Sequence, residues 1–283
     1  MNPRSAAHFA VPDAPAPDLA ERRRILSLTV GYLGKTIPKL PNFYATRSTV
    51  RYENGTVLDQ GALIGMPPTD DPHWRLAGKS NVMVLYRNGK EELNPGKAKK
   101  SGSAEKGLIT RGTFGPILSM VVVDTGRSTG VRFSHWERGA NANLAVFHYK
   151  VAAADSHYSV DSYGDSPKAS VARHTGYHGE MAIDPATGAI MRLALQADLD
   201  VGLPILRGDV MVEYAPVEIG GKSYICPVRS VSISTSEAGE YAPGARSRAA
   251  YVNPVKTLMN DVVFSDYHLF RSESRIVSGF IPQ

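Results

Sequence analysis

Cysteine is all but absent from this 283-residue chain, with Cys226 its single example. One thiol forms no internal disulfide and builds no thiolate metal site, and it leaves secretion unreadable from cysteine usage. Long hydrophobic runs are missing too. Nowhere does the chain reach the about 18 consecutive apolar residues of a membrane-spanning helix, so no transmembrane segment is expected. The opening MNPRSAAHFAVPDAPAPD also lacks the continuous apolar stretch of a signal peptide. Charge is nearly balanced, with 32 Lys and Arg against 27 Asp and Glu, an excess too mild for a nucleic-acid binder. The basic clusters Arg22 to Arg24 and Lys97 to Lys100 lie beside helix or loop signals and read as solvated faces.

Motifs for familiar chemistries are equally scarce. Gly78-Lys79-Ser80 and Gly221-Lys222-Ser223 end like a phosphate loop, but His73 and Pro216 stand where the leading glycine is required. There is no nucleophile elbow, dinucleotide glycine motif, HExxH or EF-hand loop. No cofactor and no resident metal are therefore expected. Asn54-Gly55-Thr56 matches a glycosylation sequon at a level chance supplies.

What is present is a 42% hydrophobic fraction, enough for a substantial core. From Asp18, an N-cap residue, the segment LAERRRILSLTVGYL places Ile25, Leu28, Tyr32 and Leu33 on one stripe, flanked by Leu26 and Val30. This predicts an amphipathic helix with Gly34 as C-cap and Pro38 and Pro41 barring its continuation. The next segment, NFYATRSTVRY, has the aromatic and β-branched content of a strand. Asn54-Gly55 and Asn88-Gly89 are two-residue hairpin signals, and residues 94–107 read as a surface loop. The run ILSMVVV fits a helix turn or a strand equally.

Further on, VRFSHWE, LAVFHYKV, HYSVDSY, GEMAID and AIMRLALQADL follow one another with Gly, Asn, Asp or Ser between them, and a turn at Pro185 to Gly188. Val210, Val212 and Tyr214 form another apolar face, Gly220-Gly221 reverses the chain, and YICPVRSVSI changes phase at Pro227, as a bulge or edge does. DVVFSDYHLFRSESRIV supplies the closing strands. Eight or more sequential strands without long helices between them predict a mainly β (α+β) fold: a curved, half-barrel-like antiparallel meander with the N-terminal helix available to cover its concave side. Residues 1–17 read as a Pro/Ala-rich linker, suggesting the back part of a longer protein, and 18–283 as one β-rich domain.

Histidines on strands are the polar set of most interest. His135 is placed on a face with Val131 and Phe133, and His148 on one with Leu144 and Val146. If the intervening hairpin pairs odd with even positions, the two imidazoles share a face within cross-strand reach, where Glu137 joins them. Such a set fits a divalent metal or a proton shuttle, and it equally fits satisfied core or rim histidines. His174, His178 and Glu180 would converge on a helix, but Gly176 and Gly179 argue against one. Trp136 and Trp74 are suited to stacking on a ligand or to packing on neighbours. Cys226 reads as a small buried hydrophobe.

The segments LPNFYATRSTVRYE, YHGEMAIDPATGAIMRLALQADL and VEYAPVEIGGKSYICPVRSVS resemble a family of uncharacterised bacterial proteins predicted to be exported, from about Lys39 onward. More remotely, a helix before a curling sheet, with a D-P-x-T-G turn before an M-R-L strand, is similar to the outer-membrane lipoprotein carrier (Lol-type) superfamily. That resemblance implies a half-open barrel holding acyl chains in an apolar cavity, in the periplasm or outside the cell. The chain departs from it in having no lipobox cysteine and fewer lid helices. No functional residue is transferred, because no binding motif is matched. Three functions stay open. One is a non-enzymatic envelope domain with a lipid, acyl chain or other hydrophobic partner on its concave face, His135, Trp136, Glu137 and His148 being candidate contacts. Another is a structural or interaction module of a larger protein, its sheet edge or residues 94–107 meeting a partner such as another envelope protein; the third is a metal-assisted hydrolase built on the strand histidines.

Overall fold

A computed structural model describes residues 14–55, 74–93, 113–127, 130–162, 171–200, 205–237 and 255–270. Two α-helices, α1 (Leu19–Thr36) and α2 (Pro116–Arg127), accompany twelve strands. These are β1 (Phe43–Gly55), β2 (Arg75–Arg87), β3 (Lys90–Leu93), β4 (Arg132–Arg138), β5 (Asn143–Val151), β6 (Ser159–Ser162), β7 (Val171–His174), β8 (Gly176–Ile183), β9 (Ile190–Asp198), β10 (Ile205–Ile219), β11 (Lys222–Glu237) and β12 (Val255–Leu269). Ten of them form one antiparallel sheet in the order β3-β2-β1-β12-β11-β10-β9-β8-β5-β4, while β6 and β7 pair separately. The expected mainly β, unclosed meander is what the chain forms. Its cyclic order is cut between β3 and β4, and β1 is zipped to β12.

Local chemistry explains the elements. Asp18 caps α1 by accepting the Glu21 N–H at 2.8 Å. The helix runs past Gly34 to Thr36 before Pro38 converts it to a 3₁₀ turn over Ile37–Lys39, so Gly34 is not its C-cap. Its buried stripe is Ile25, Thr29 and Leu33, and Val30 points outward at 59% exposure. The ambiguous ILSMVVV is helical, its Ile117, Leu118 and Val121 buried at i, i+1 and i+4. The Asn88-Gly89 hairpin forms with both residues at positive φ, 52° and 77°. The one expected at Asn54-Gly55 does not: both residues extend β1, opposite Thr257 and Lys256, since pairing with β12 satisfies their backbone without a turn. Residues 94–107, expected as a surface loop, lie outside the described residues.

Both helices lie on one face of the sheet, called inner here. Ile25 and Leu33 of α1 and Ile117, Leu118 and Val121 of α2 share a core with Phe147, Tyr149, Tyr177, Met181, Leu193, Leu195, Val210 and Val212. The 185–188 turn is the landing point of α1. Gly188, at φ 79°, passes so close to the helix that a Cβ there would meet the Leu28 carbonyl carbon at 2.4 Å, and Arg24 Nη2 donates to the Pro185 carbonyl at 3.0 Å. A second cluster joins Phe43, Tyr86, Phe114, Cys226, Val262 and Phe264. Phe114 leads into α2 and is pinned from both sides, its N–H to Glu91 Oε1 at 2.8 Å and the neighbouring Thr113 carbonyl by the Tyr214 hydroxyl at 3.1 Å.

Candidate functional site

The inner face has two characters, and the pairing register shows where they meet. Directly paired residues share a face, so one cross-strand row can be followed over nine strands: Phe133, Phe147, Met181, Leu193, Val212, Ser230, Val262, Thr49, Ser80. The next row reads Tyr149, Gly179, Leu195, Val210, Ser232, Asn260, Arg51, Gly78. From β4 to β10 the inward side chains are apolar and packed under the helices. From β11 to β2 these two rows are hydroxyl, amide or guanidinium, except at Val262 and Gly78.

These polar side chains are not at a wet rim. Thr49 and Ser232 are each 2% exposed, Ser230 1%, Asn260 3% and Arg47, two positions before Thr49, 5%. The hydroxyls of Thr49, Ser80 and Ser232 are shielded from solvent and meet no hydrogen-bond partner among the described residues. A stranded hydroxyl costs about 1–3 kcal/mol, so valine at position 49 would fold more comfortably. At the far end of the stripe Glu53 is engaged by Arg75 at 3.1 Å and Lys256 at 3.2 Å. The signal was present as Ser230-Val-Ser232-Ile-Ser234-Thr-Ser236, a strict alternation. Without knowing which face the helices cover, its apolar half is the natural choice for the inside.

The strand histidines occupy the opposite, outer face. His135 pairs with Val146, which places His135, Glu137 and His148 on that face together. A bulge between Phe133 and His135 separates them from Phe133, which turns inward onto Phe147 with ring centroids 5.7 Å apart; the expected common face of His135 and Phe133 is undone by that extra residue. His148 Nδ1 lies 3.3 Å from Glu180, Glu180 lies 3.8 Å from Arg192, and Arg192 donates a short hydrogen bond to Glu137. His135 Nδ1 meets Ser134 Oγ at 2.9 Å. His178 contacts Asp198 at 2.5 Å, and His174 is exposed on β7. Among the described residues no group of three His, Cys, Asp or Glu side chains converges as a metal site. Trp136 points inward, apart from the histidines, and its indole N–H donates to the Pro15 carbonyl at 2.8 Å. With Arg22 of α1 stacked over Phe133 at 5.6 Å, this ties α1 and the chain before it to β4. Trp74 is half-buried just before β2.

A third polar centre was not legible in the sequence. Asp124, fully buried on α2, accepts the His157 N–H at 3.0 Å and the Tyr177 hydroxyl at 2.8 Å, and meets His157 Nδ1 at 2.5 Å. Burial pushes its pKa up, but the His157 and Tyr177 hydrogen bonds outweigh this and hold the carboxyl below its ordinary range. Burial first and Asp124 second push the Tyr177 phenol well above its usual value. Among the described residues, the side chain His157 meets is that of Asp124. Cys226 is sealed in the second cluster, its thiol pushed up to about 12 by burial.

Comparison with protein-family models, curated proteins and solved structures returned no match.

Proposed function

We propose that this chain is a non-enzymatic binding module that holds an amphiphilic ligand on its inner face, at the border between β10 and β11. The observation carrying this reading is the change of character along one unbroken row, from Leu193 and Val212 to Ser230, Thr49 and Ser80. A sheet that only needed a core would continue the apolar face, since buried polar side chains are costly unless they meet partners. A purely greasy ligand is disfavoured, because α1 and α2 already occupy the apolar half. A molecule with a polar head and a short apolar part matches the border, where Val210 and Val212 of β10 stand opposite Ser232 and Ser230 of β11. The resemblance to exported proteins supports an envelope setting. Native mass spectrometry and solvent extraction of protein purified from cells test the reading. An acyl-bearing amphiphile is expected, and finding none bound and none exchangeable would overturn it.

A second reading, docking of another envelope protein on the outer face, is favoured by Leu76, Met83 and Val263, which stand there at 57%, 46% and 48% exposure. Replacing Met83 and Val263 by aspartate abolishes co-purification of such a partner if this reading holds, and leaves lipid content unchanged.

A further inference from the structure

The three stranded hydroxyls carry the reading one step further, to the chemistry of the head group, and this step rests on the binding function just proposed. Thr49 and Ser80 sit directly opposite each other on β1 and β2. Ser232 lies on β11, with β12 between it and β1. Paired Cβ atoms are about 5 Å apart, and two strand spacings add up to roughly 10 Å. The unmet hydrogen-bonding capacity is therefore spread over a patch wider than one small functional group. On β12, between them, Asn260 stands opposite Ser232 and Val262 opposite Thr49, both buried.

We propose that this patch is a head-group subsite for amphiphiles whose head carries several oxygen atoms, a phosphodiester or a glycoside, and that it discriminates against simple fatty acids. A carboxylate has two oxygens on one carbon and reaches one end of the patch only, leaving the remaining hydroxyls as stranded as before. A phosphodiester or a sugar presents oxygens over the whole distance. Hydroxyls both donate and accept, so they suit either head. The hydroxyl oxygens are shielded from solvent in the structure, so the head must expose them to bind. It then supplies the hydrogen bonds that the unliganded protein lacks, and binding and opening are coupled through the same three atoms.

The test uses the full chain and three probes with ten-carbon chains, decyl phosphocholine, decyl maltoside and decanoate, each below its micelle concentration, with thermal melting and titration calorimetry as readouts. A raised melting temperature is expected with the phosphocholine, the maltoside or both, and none with decanoate; which of the two acts identifies the head. The variants Thr49→Val and Ser232→Ala are expected to melt at or above the parent temperature without ligand, because each removes a buried unpaired hydroxyl. Together they weaken binding of the active probe at least tenfold, while Thr49→Ser, which keeps the hydroxyl, retains it. Equal response to all three probes, or affinity unchanged in the Thr49→Val/Ser232→Ala protein, overturns the subsite and leaves the binding function standing. No response to any probe, together with protein that comes from cells carrying no amphiphile, overturns both.

Discussion

Replacing Gly179 by alanine subjects the packing logic of the inner face to a demanding test. Tyr149 on β5 lies across Gly179 on β8 so that its hydroxyl reaches the Ala194 carbonyl on β9 at 2.6 Å. A Cβ at position 179 would stand 1.9 Å from that carbonyl oxygen, 2.8 Å from its carbon and 2.9 Å from the tyrosine hydroxyl. The two nearest atoms are backbone, so no rotamer change relieves the clash; β8 and β9 must part. Overpacking of this kind costs about 1–3 kcal/mol, and stranding the Tyr149 hydroxyl in a fully buried site adds about 1–3 kcal/mol. A central loss of about 4 kcal/mol lowers the melting temperature by roughly 8–16 °C in a chain of this size. Circular dichroism melts and urea midpoints of Gly179→Ala, Tyr149→Phe and the double variant decide the matter. Tyr149→Phe alone is expected to cost about 1 kcal/mol and not to rescue Gly179→Ala. A Gly179→Ala protein that melts with the parent, or is restored by Tyr149→Phe, would refute the backbone clash as the cause.

Gly188→Ala combines a left-handed φ with contact against the α1 backbone, so α1 is expected to detach from the 185–188 turn, seen as protease cleavage within residues 14–36 while the sheet stays intact. Asp124→Asn is expected to cost about 1–3 kcal/mol at neutral pH. Its carboxyl is held below the ordinary value in the folded state, so its contribution is complete above the unfolded carboxyl pKa, about 3.9, and lost as pH falls through the lower folded value. Urea midpoints measured from pH 7 down to 2 should therefore decline less steeply for Asp124→Asn in the acid range. The Cys226 thiol, pushed up to about 12 by burial, is expected to react with an aromatic disulfide reagent only as fast as the protein unfolds, and rapid reaction in native buffer would place it nearer the surface.

Much of the fold was legible because it rests on local signals. The Asp18 cap, the Asn88-Gly89 and Gly220-Gly221 turns, and the bulge beside Pro227, where the register shifts between Glu213 and Tyr214, each follow from the chemistry of a few adjacent residues. Asn54-Gly55 misled for the opposite reason: a partner strand some two hundred residues away, at Thr257 and Lys256, outweighed a local turn preference. The histidines were placed on a common face by periodicity alone, but one bulge moved Phe133 to the other side, which periodicity cannot foresee. The polar stripe escaped because strand alternation gives two faces and does not say which one the helices cover. Asp124 and His157 are joined only by the packing of α2 against the loop before β6.

The zipper between β1 and β12 also bears on how the chain assembles. The hairpin of β1 and β2 is made first during synthesis, yet one flank of β1 waits for nearly the last strand to emerge. Until then both that flank and the growing edge at β11 are open to other chains, and partners this distant in sequence fold slowly. Shielding by a chaperone, or by a ligand that prefers the finished sheet, would therefore matter most in the interval before β12 arrives.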